Sequence, residues 1–559
     1  MNSKKFNRLF RVIVVVTLFA AILADASGDR PTDKSTATRS MVIAANGMVA
    51  TSQPLAAMAG LRILQQGGNA IDAAVATAAA LNVVEPMSTG IGGDMFALVW
   101  IAKERKLVGL NGSGRAPSEA TLEFFQQKGF QSIPSRGPFP ITVPGALDGW
   151  CTLLESYGTM SLAQVLSPAI EYAENGFPVS EIIATSWQSA AESLKEMPGF
   201  AENYLIAGRA PRVGEVFKQK ALAESFRQIA RQGKQVFYGG EIGKKIVDFV
   251  RAQGGLLSLK DLAEHRSTWV APLSTNYRGY TVYELPPNGQ GIAVLEMLNI
   301  LEGYDLKPLG HNSADYLHLL IETKKLAYAD LHRFIADPEF SEIPTETLIS
   351  KEYAAQLRKL IDLNRAAREV NTPLMQQAGD TIYLTVVDKD RNCVSFINSL
   401  YSHFGSGLVV PGTGICLQNR GALFFLDPTH PNRLEPSKRP FHTIIPAMVF
   451  RDSKPYFCFG VMGGAMQPQG HVQVLLNLID FGMNVQEAGE AARFRHFTRG
   501  VALESDIDAL TRYKLIRKGH RIIWEVGCFG GYQGILIDPN SGVLYGGSDI
   551  RKDGCAVGW

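Results

Sequence analysis

The feature that most constrains this chain is a pair of strand-forming runs joined by a short polar turn. Ile382-Tyr383-Leu384-Thr385-Val386-Val387 is β-branched and aromatic, Asp388-Lys389-Asp390-Arg391-Asn392 is polar, and Cys393 to Leu400 is again rich in strand formers. That composition and spacing predict an antiparallel hairpin, so the fold must be built around a sheet that contains it. Gly379-Asp380-Thr381 leads into the first run. On these residues alone, Thr381 is a good strand former at the start of a strand and nothing more.

Elsewhere strand-like and helix-like segments alternate without a clear linker. Leu55 to Gln66 has helical periodicity and stops at Gly67-Gly68. Asn69 caps an alanine-rich stretch from Ala70 to Leu81, whose small side chains predict a buried, closely packed helix. A further helix is predicted from about Ser313 to Ala336, ended by Asp337-Pro338, and another over Val472 to Phe481, ended by Gly482. Asp427 to Pro440 holds Pro428, Pro431, Pro436 and Pro440 and reads as a long irregular loop, a kind often tied to function.

With 559 residues the chain can bury a large core, and length alone suggests three or four domains. Hydrophobic residues at 46% and charged residues at 19% are ordinary for a soluble globular protein. A net charge of +2 gives no electrostatic reason to expect nucleic acid or a membrane surface as partner. The N-terminus reads as a targeting segment: Lys4, Lys5, Arg8 and Arg11, then apolar Val12 to Ala24, then a small-x-small site at Ala24-Asp25-Ala26. Residues 1–26 are therefore expected to be a signal peptide and the protein exported, periplasmic or extracellular. An uncleaved membrane anchor is the alternative, although the apolar run is shorter than the ~20 residues a span needs. Polar residues 27–47 are expected to form a flexible leader. The six cysteines (Cys151, Cys393, Cys416, Cys458, Cys528, Cys555) form no CxxC pair, and no His/Cys cluster has zinc-ligand spacing, so no metal is expected. Buried free thiols are the preferred reading; one or two bridges stay open.

A series of short motifs then carries a resemblance. In order they are Gly67-Gly68-Asn69-Ala70-Ile71-Asp72-Ala73-Ala74-Val75, Val84-Glu85-Pro86, Gly90-Ile91-Gly92-Gly93, Val143-Pro144-Gly145, Pro286-Pro287, Ala327-Tyr328-Ala329-Asp330 and Asp337-Pro338. Thr381 with Val386-Val387-Asp388-Lys389-Asp390 follows, then Phe404-Gly405-Ser406-Gly407, Lys438-Arg439-Pro440, Gly463-Gly464, Arg493-Phe494 and Ser548-Asp549. Each is weak alone. Together and in this order, from about Met48 to the C-terminus, they resemble the γ-glutamyltranspeptidases. The resemblance implies an α/β fold, a four-layer αββα sandwich of the N-terminal-nucleophile hydrolase type. It implies a precursor that cuts itself between Asp380 and Thr381, giving a large chain (48–380 within the domain) and a small catalytic chain (381–559). It implies no cofactor, and a small-molecule amide as partner.

The chemistry accounts for an N-terminal threonine. A hydroxyl needs a base beside it, and the α-amine freed by cleavage, with a pKa of about 8, can serve. By the same resemblance Gly463 and Gly464 supply oxyanion-hole amides, and Ser399, 18 residues after Thr381, stands where the family has a threonine that steadies the nucleophile. His442 and Thr443 stand where it has two serines near the oxyanion; His442 is not read as a base.

Three positions that bear on the substrate also depart from the family pattern. Transpeptidases hold the γ-glutamyl α-carboxylate with an arginine where this chain has Ser113, and the nearest arginine is Arg115. They hold the α-amino group with an aspartate where this chain has Leu423. Tyr401 replaces an asparagine of the substrate pocket. The sequence thus looks closer to the glutathione hydrolase-like branch and to cephalosporin-acylase relatives. Three readings follow: a hydrolase of γ-glutamyl amides such as glutathione-like substrates, with transfer secondary; an acylase for glutaryl or related side chains; or an inactive exported binding protein. Arg115 is expected to recover carboxylate binding by its reach.

Overall fold

The computed structural model describes residues 37–368 and 379–559. The expected signal segment and the first part of the expected leader lie outside the described residues. Contacts divide the chain at Ser40/Met41, and the unit Met41–Trp559 carries both large sheets.

The hairpin forms as its composition predicts. Asp380–Val387 pairs antiparallel with Cys393–Tyr401, and the two are the third and fourth strands of a seven-stranded sheet. In spatial order that sheet runs Cys555–Gly558, Met48–Thr51, Asp380–Val387, Cys393–Tyr401, Asp94–Ile101, Lys106–Gly112, Thr268–Val270. A second seven-stranded sheet runs Val42–Ala44, Leu544–Ser548, Gly531–Ile537, Lys454–Met462, Ala447–Arg451, Tyr280–Glu284, Leu273–Tyr277. Every pairing in both sheets is antiparallel.

The layers follow from which way successive side chains point. On one face of the hairpin Ile382, Leu384, Val386, Val394 and Phe396 join a core with the helices Pro54–Gln65, Ala70–Val84 and Ala146–Tyr157. On the other face Tyr383, Val387, Cys393 and Ile397 meet Met448, Cys458, Met462 and Ile535 of the second sheet. The outer face of that sheet, with Val449, Phe457 and Phe459, packs on the helices Ile292–Leu301, Ala314–Phe334 and Gln467–Ile479. This is the expected αββα sandwich. One two-sheet unit replaces the three or four domains suggested by length.

Local features explain several motifs. Helix Ala70–Val84 has all fifteen residues buried, so alanine serves close approach on every side. Asn69 and Asp72 form a capping box at its start. Asp388 joins that same helix end to the hairpin turn: its carboxylate accepts from Ala70 N (3.0 Å), Asp390 N (2.9 Å), Asn392 N (2.9 Å) and Asn392 Nδ2 (2.8 Å). Arg493 and Asp549 form a buried ion pair at 2.8 Å. The six cysteines are free thiols, four of them buried.

Two expectations need correction. The leader does not extend to residue 47, because Val42–Ala44 pairs with Leu544–Gly546 as an edge strand. The helix expected from Val472 begins at Gln467 and ends at Ile479. Its polar first turn, Gln467-Pro468-Gln469, reads as loop in sequence, yet proline is favourable in the first turn and the glutamines are buried on backbone partners.

Removing the Asp388 carboxylate leaves the helix start and the hairpin turn without their shared acceptor. Asp388→Ala is expected to destabilise the chain by about 2–3 kcal/mol in denaturant unfolding. A change within about 0.5 kcal/mol, ordinary for a surface substitution, contradicts this role.

Candidate active site

Thr381 sits at an irregularity in the hairpin. Asp380 pairs with Tyr401 but Ile382 pairs with Asn398, so the register shifts across Thr381. The side chain is buried, and its Oγ1 lies 3.0 Å from Ser399 Oγ. Ser399 Oγ also accepts from Tyr401 N at 2.8 Å. Tyr401 itself has φ +78, a left-handed conformation that a bulky residue adopts only when its surroundings impose it.

Behind this strand end, the Gly90-Ile91-Gly92-Gly93 loop packs too closely for side chains. A Cβ on Gly93 would stand 2.3 Å from Ser399 O, and one on Gly92 would stand 2.0 Å from Cys416 O. In front of it lies the turn Gly463-Gly464, which leaves strand Lys454–Met462 with φ of +127 and +61 and runs into helix Gln467–Ile479. A Cβ on Gly464 would stand 3.0 Å from Gly379 N, so the turn lies directly against the residue two before Thr381. Gln290 Nε2 donates to Gly464 O (2.9 Å) and Thr443 O (2.5 Å), tying that turn to the Pro440–Thr443 segment. A cleft of about 600 Å³ passes Gly379, His403 and Gly463 and is rimmed by Arg495, Arg499 and Lys552.

The sequence model of a family described as Gamma-glutamyltranspeptidase matches residues 56–559. The chain belongs to the γ-glutamyltranspeptidase family. It is 42% identical over 528 residues to the glutathione hydrolase-like YwrD proenzyme of Bacillus subtilis, covering 92% of this chain and 99% of that one. It is 37% identical to the Acylase ACY 1 proenzyme of a Pseudomonas species, covering 91% and 93%. Among solved structures, the cephalosporin acylase of Bacillus halodurans superposes with a TM-score of 0.89 at 46% identity, covering 95% of this chain and 99% of that one. These relatives are enzymes named as hydrolases, acylases and proenzymes. The chain is an enzyme of this family of glutathione hydrolases and acylases, which sets aside the inactive binding protein.

Within this γ-glutamyltranspeptidase framework, the structure brings Thr381, Ser399, Tyr401, Gly463, Gly464 and Thr443 together. Leu423 is buried in the apolar cluster that also holds Tyr401 and Ala465. His442 is fully buried against Phe96, with Nε2 3.0 Å from Asp94 Oδ2. Burial first, and the nearby Arg420 second, push its imidazole down to about 4, so it is neutral at physiological pH.

Arg115 is not where the sequence reading needs it. Its guanidinium grips Glu339 at 2.7 and 2.9 Å and donates to Ser437 O at 3.0 Å, beside a different cavity formed with Asp261 and His265. Glu339 directly follows the helix-ending Asp337-Pro338, and this pairing holds the proline-rich loop; Arg439 joins it at 3.1 Å. Ser113 is likewise engaged, its hydroxyl donating to Asn111 Oδ1 at 2.7 Å and accepting from Asn288 Nδ2 at 3.3 Å. Carboxylate binding by Arg115 is therefore corrected.

The sequence reading also missed Gln290 and Arg420. Pro286-Pro287 marked the first, three residues short. Nothing in the sequence but its charge, between Gln418-Asn419 and an apolar run, marked the second. The absence of zinc-ligand spacing did not exclude convergence either: His318 Nδ1 and His520 Nε2 meet at 2.7 Å beside Glu322, which also pairs with Lys325 at 2.9 Å.

Buried histidines set an acid limit on the fold. Burial holds His265, His430 and His442 down to about 4 and His471 to about 3, below the ordinary 6.5. A folded-state pKa below the unfolded one stabilises the fold above about 6.5, and that contribution is lost as pH falls toward 4. Thermal denaturation should give a Tm that falls from pH 6.5 to pH 4, less steeply in His471→Gln. A Tm that is flat or rising over that window contradicts the assignment.

Proposed function

We propose that this chain is a self-processing N-terminal-nucleophile amidohydrolase. It cuts between Asp380 and Thr381 and then uses Thr381 to hydrolyse amides of γ-glutamyl or related γ-carboxyacyl groups. The observation that carries this reading is the 3.0 Å contact between Thr381 Oγ1 and Ser399 Oγ at a strand irregularity, beside the Gly463-Gly464 turn.

In the precursor, the Thr381 hydroxyl oxygen attacks the Asp380 carbonyl carbon. The C–N bond breaks, the nitrogen takes the hydroxyl proton, and an ester joins the two residues. Water then hydrolyses the ester, leaving Asp380 with a new carboxylate and Thr381 with a free α-amine and its hydroxyl restored. That amine, with a pKa of about 8, is the base for turnover. It takes the proton of Oγ1 as the oxygen attacks the substrate amide carbon. It returns a proton to the leaving amine, and water releases the acyl group. Ser399 donates to the Thr381 oxygen while Tyr401 N–H fixes the serine in place. The Gly463 and Gly464 amides meet the oxyanion, where one donor is typically worth about 100- to 1000-fold in rate.

The strand order supports this arrangement. Each sheet combines strands from before and after the cut, hydrogen-bonded to one another, so the large and small chains stay together after cleavage. Leu423 supports hydrolysis with little selection for a free α-amino group, since an apolar wall cannot pair an ammonium. The same residue favours glutaryl-type acyl amides as a second substrate class. The basic N-terminus, apolar run and Ala24-Asp25-Ala26 support export, with a mature large chain starting near Ser27.

Purified protein should run as two chains, the smaller beginning at Thr381 by N-terminal sequencing. Thr381→Ala should remain one full-length chain with no turnover of γ-glutamyl or glutaryl anilides. A small chain with a different first residue, or a processed and active Thr381→Ala, removes the mechanism.

A further inference from the structure

Arg420 is fully buried in the short turn Arg420–Leu423, next to the nucleophile hairpin. Its Nη1 donates to Thr443 Oγ1 at 2.7 Å, and its guanidinium lies over the ring of Tyr401, 4.6 Å from the centroid. Nε and Nη2 have no hydrogen-bond partner among the described residues. Asp94 is the carboxylate that acts on Arg420 through space, but its oxygens are taken. Oδ1 accepts from Gly114 N (2.9 Å) and Gly145 N (3.2 Å), and Oδ2 bonds His442 Nε2 (3.0 Å). Burial pulls the guanidinium down to about 10, so it remains charged at neutral pH.

A desolvated cation with two unpaired N–H groups is costly, and proteins keep such groups where a partner arrives. The unpaired groups are Nε and Nη2, the adjacent pair along one edge of the guanidinium. That edge matches the two oxygens of a carboxylate. Its location says which molecule brings that carboxylate. Tyr401, which Arg420 stacks on, pairs with Asp380 across the hairpin and fixes Ser399. A Cβ on Gly379 would stand 3.4 Å from the Tyr401 ring and 3.1 Å from Gly464 Cα. The chain ahead of the cut thus lies against the same wall that Arg420 backs, and an acyl group on Thr381 meets that wall once the cut is made.

We propose that Arg420 is the binding subsite for a carboxylate at the far end of the substrate's acyl group, making the preferred substrates half-amides of dicarboxylic acids. This rests on the reading of Thr381 as nucleophile and adds what the acyl group must carry. Arg420 takes the task that Arg115, held by Glu339, cannot perform. Leu423, three residues on in the same turn and buried in apolar surroundings, leaves no matching site for an ammonium. A terminal carboxylate is required; a neighbouring amino group is not.

The test compares glutaryl p-nitroanilide with pentanoyl p-nitroanilide, which has the same chain length without the carboxylate. It uses the self-cleaved wild type, Arg420→Met and Arg420→Lys. Wild type should favour the glutaryl substrate by about 100-fold or more in kcat/KM. In Arg420→Met that ratio should collapse toward unity, and Arg420→Lys should recover part of it. Free glutarate should compete with substrate on wild type where pentanoate does not, which decides the matter even if Arg420→Met does not fold. Two properly cut chains with no carboxylate preference, or an Arg420→Met enzyme that keeps it, overturn the proposal. Failure of the Thr381 reading would show differently, as wild-type protein that stays one uncut chain.

Discussion

Ile382, Leu384 and Val386 pack toward helices while Tyr383 and Val387 pack toward the second sheet, and this two-sided burial of one strand fixes Thr381 at its head. Burying each large aliphatic side chain is worth roughly 1.5–3 kcal/mol. A slip by one residue would exchange the two faces, so the register is strongly held. The shift between Asp380 and Ile382 is then a local departure from a fixed frame. It places a hydroxyl 3.0 Å from Ser399 instead of letting the strand run straight past it.

The surrounding motifs serve that frame. Asp388 pins the far end of the hairpin to the start of helix Ala70–Val84. The glycines at 92 and 93 let a loop press against the strand from behind, and the Gly463-Gly464 turn presses on Gly379 from the front. Positive φ at Tyr401 shows where the frame forces the backbone. Strain, close glycine approach and a hydroxyl pair coincide within a few residues of the proposed cut, as expected where geometry is held for chemistry.

Much of this was legible in sequence. The hairpin, the buried alanine helix and the Ser313-capped helix each follow from local patterns that tertiary packing reinforces. The four-layer arrangement came only with the family resemblance, since strands distant in sequence carry no local sign of being neighbours. Arg115 misled for a simple reason: proximity in sequence to Ser113 says nothing of the Glu339 carboxylate waiting 224 residues later. Arg420 stayed hidden because its importance lies in what it lacks, a hydrogen-bond partner among the described residues for its buried Nε and Nη2. Only a full set of neighbours reveals that.

The central claim is that Thr381 carries the acyl group during turnover. Rapid acid quenching of the enzyme with excess glutaryl or γ-glutamyl anilide, followed by peptide mass spectrometry, tests it directly. The account predicts the acyl group on the peptide that begins with Thr381, attached through its side-chain oxygen. An acyl group on any other residue, or none while anilide is being hydrolysed, would contradict it.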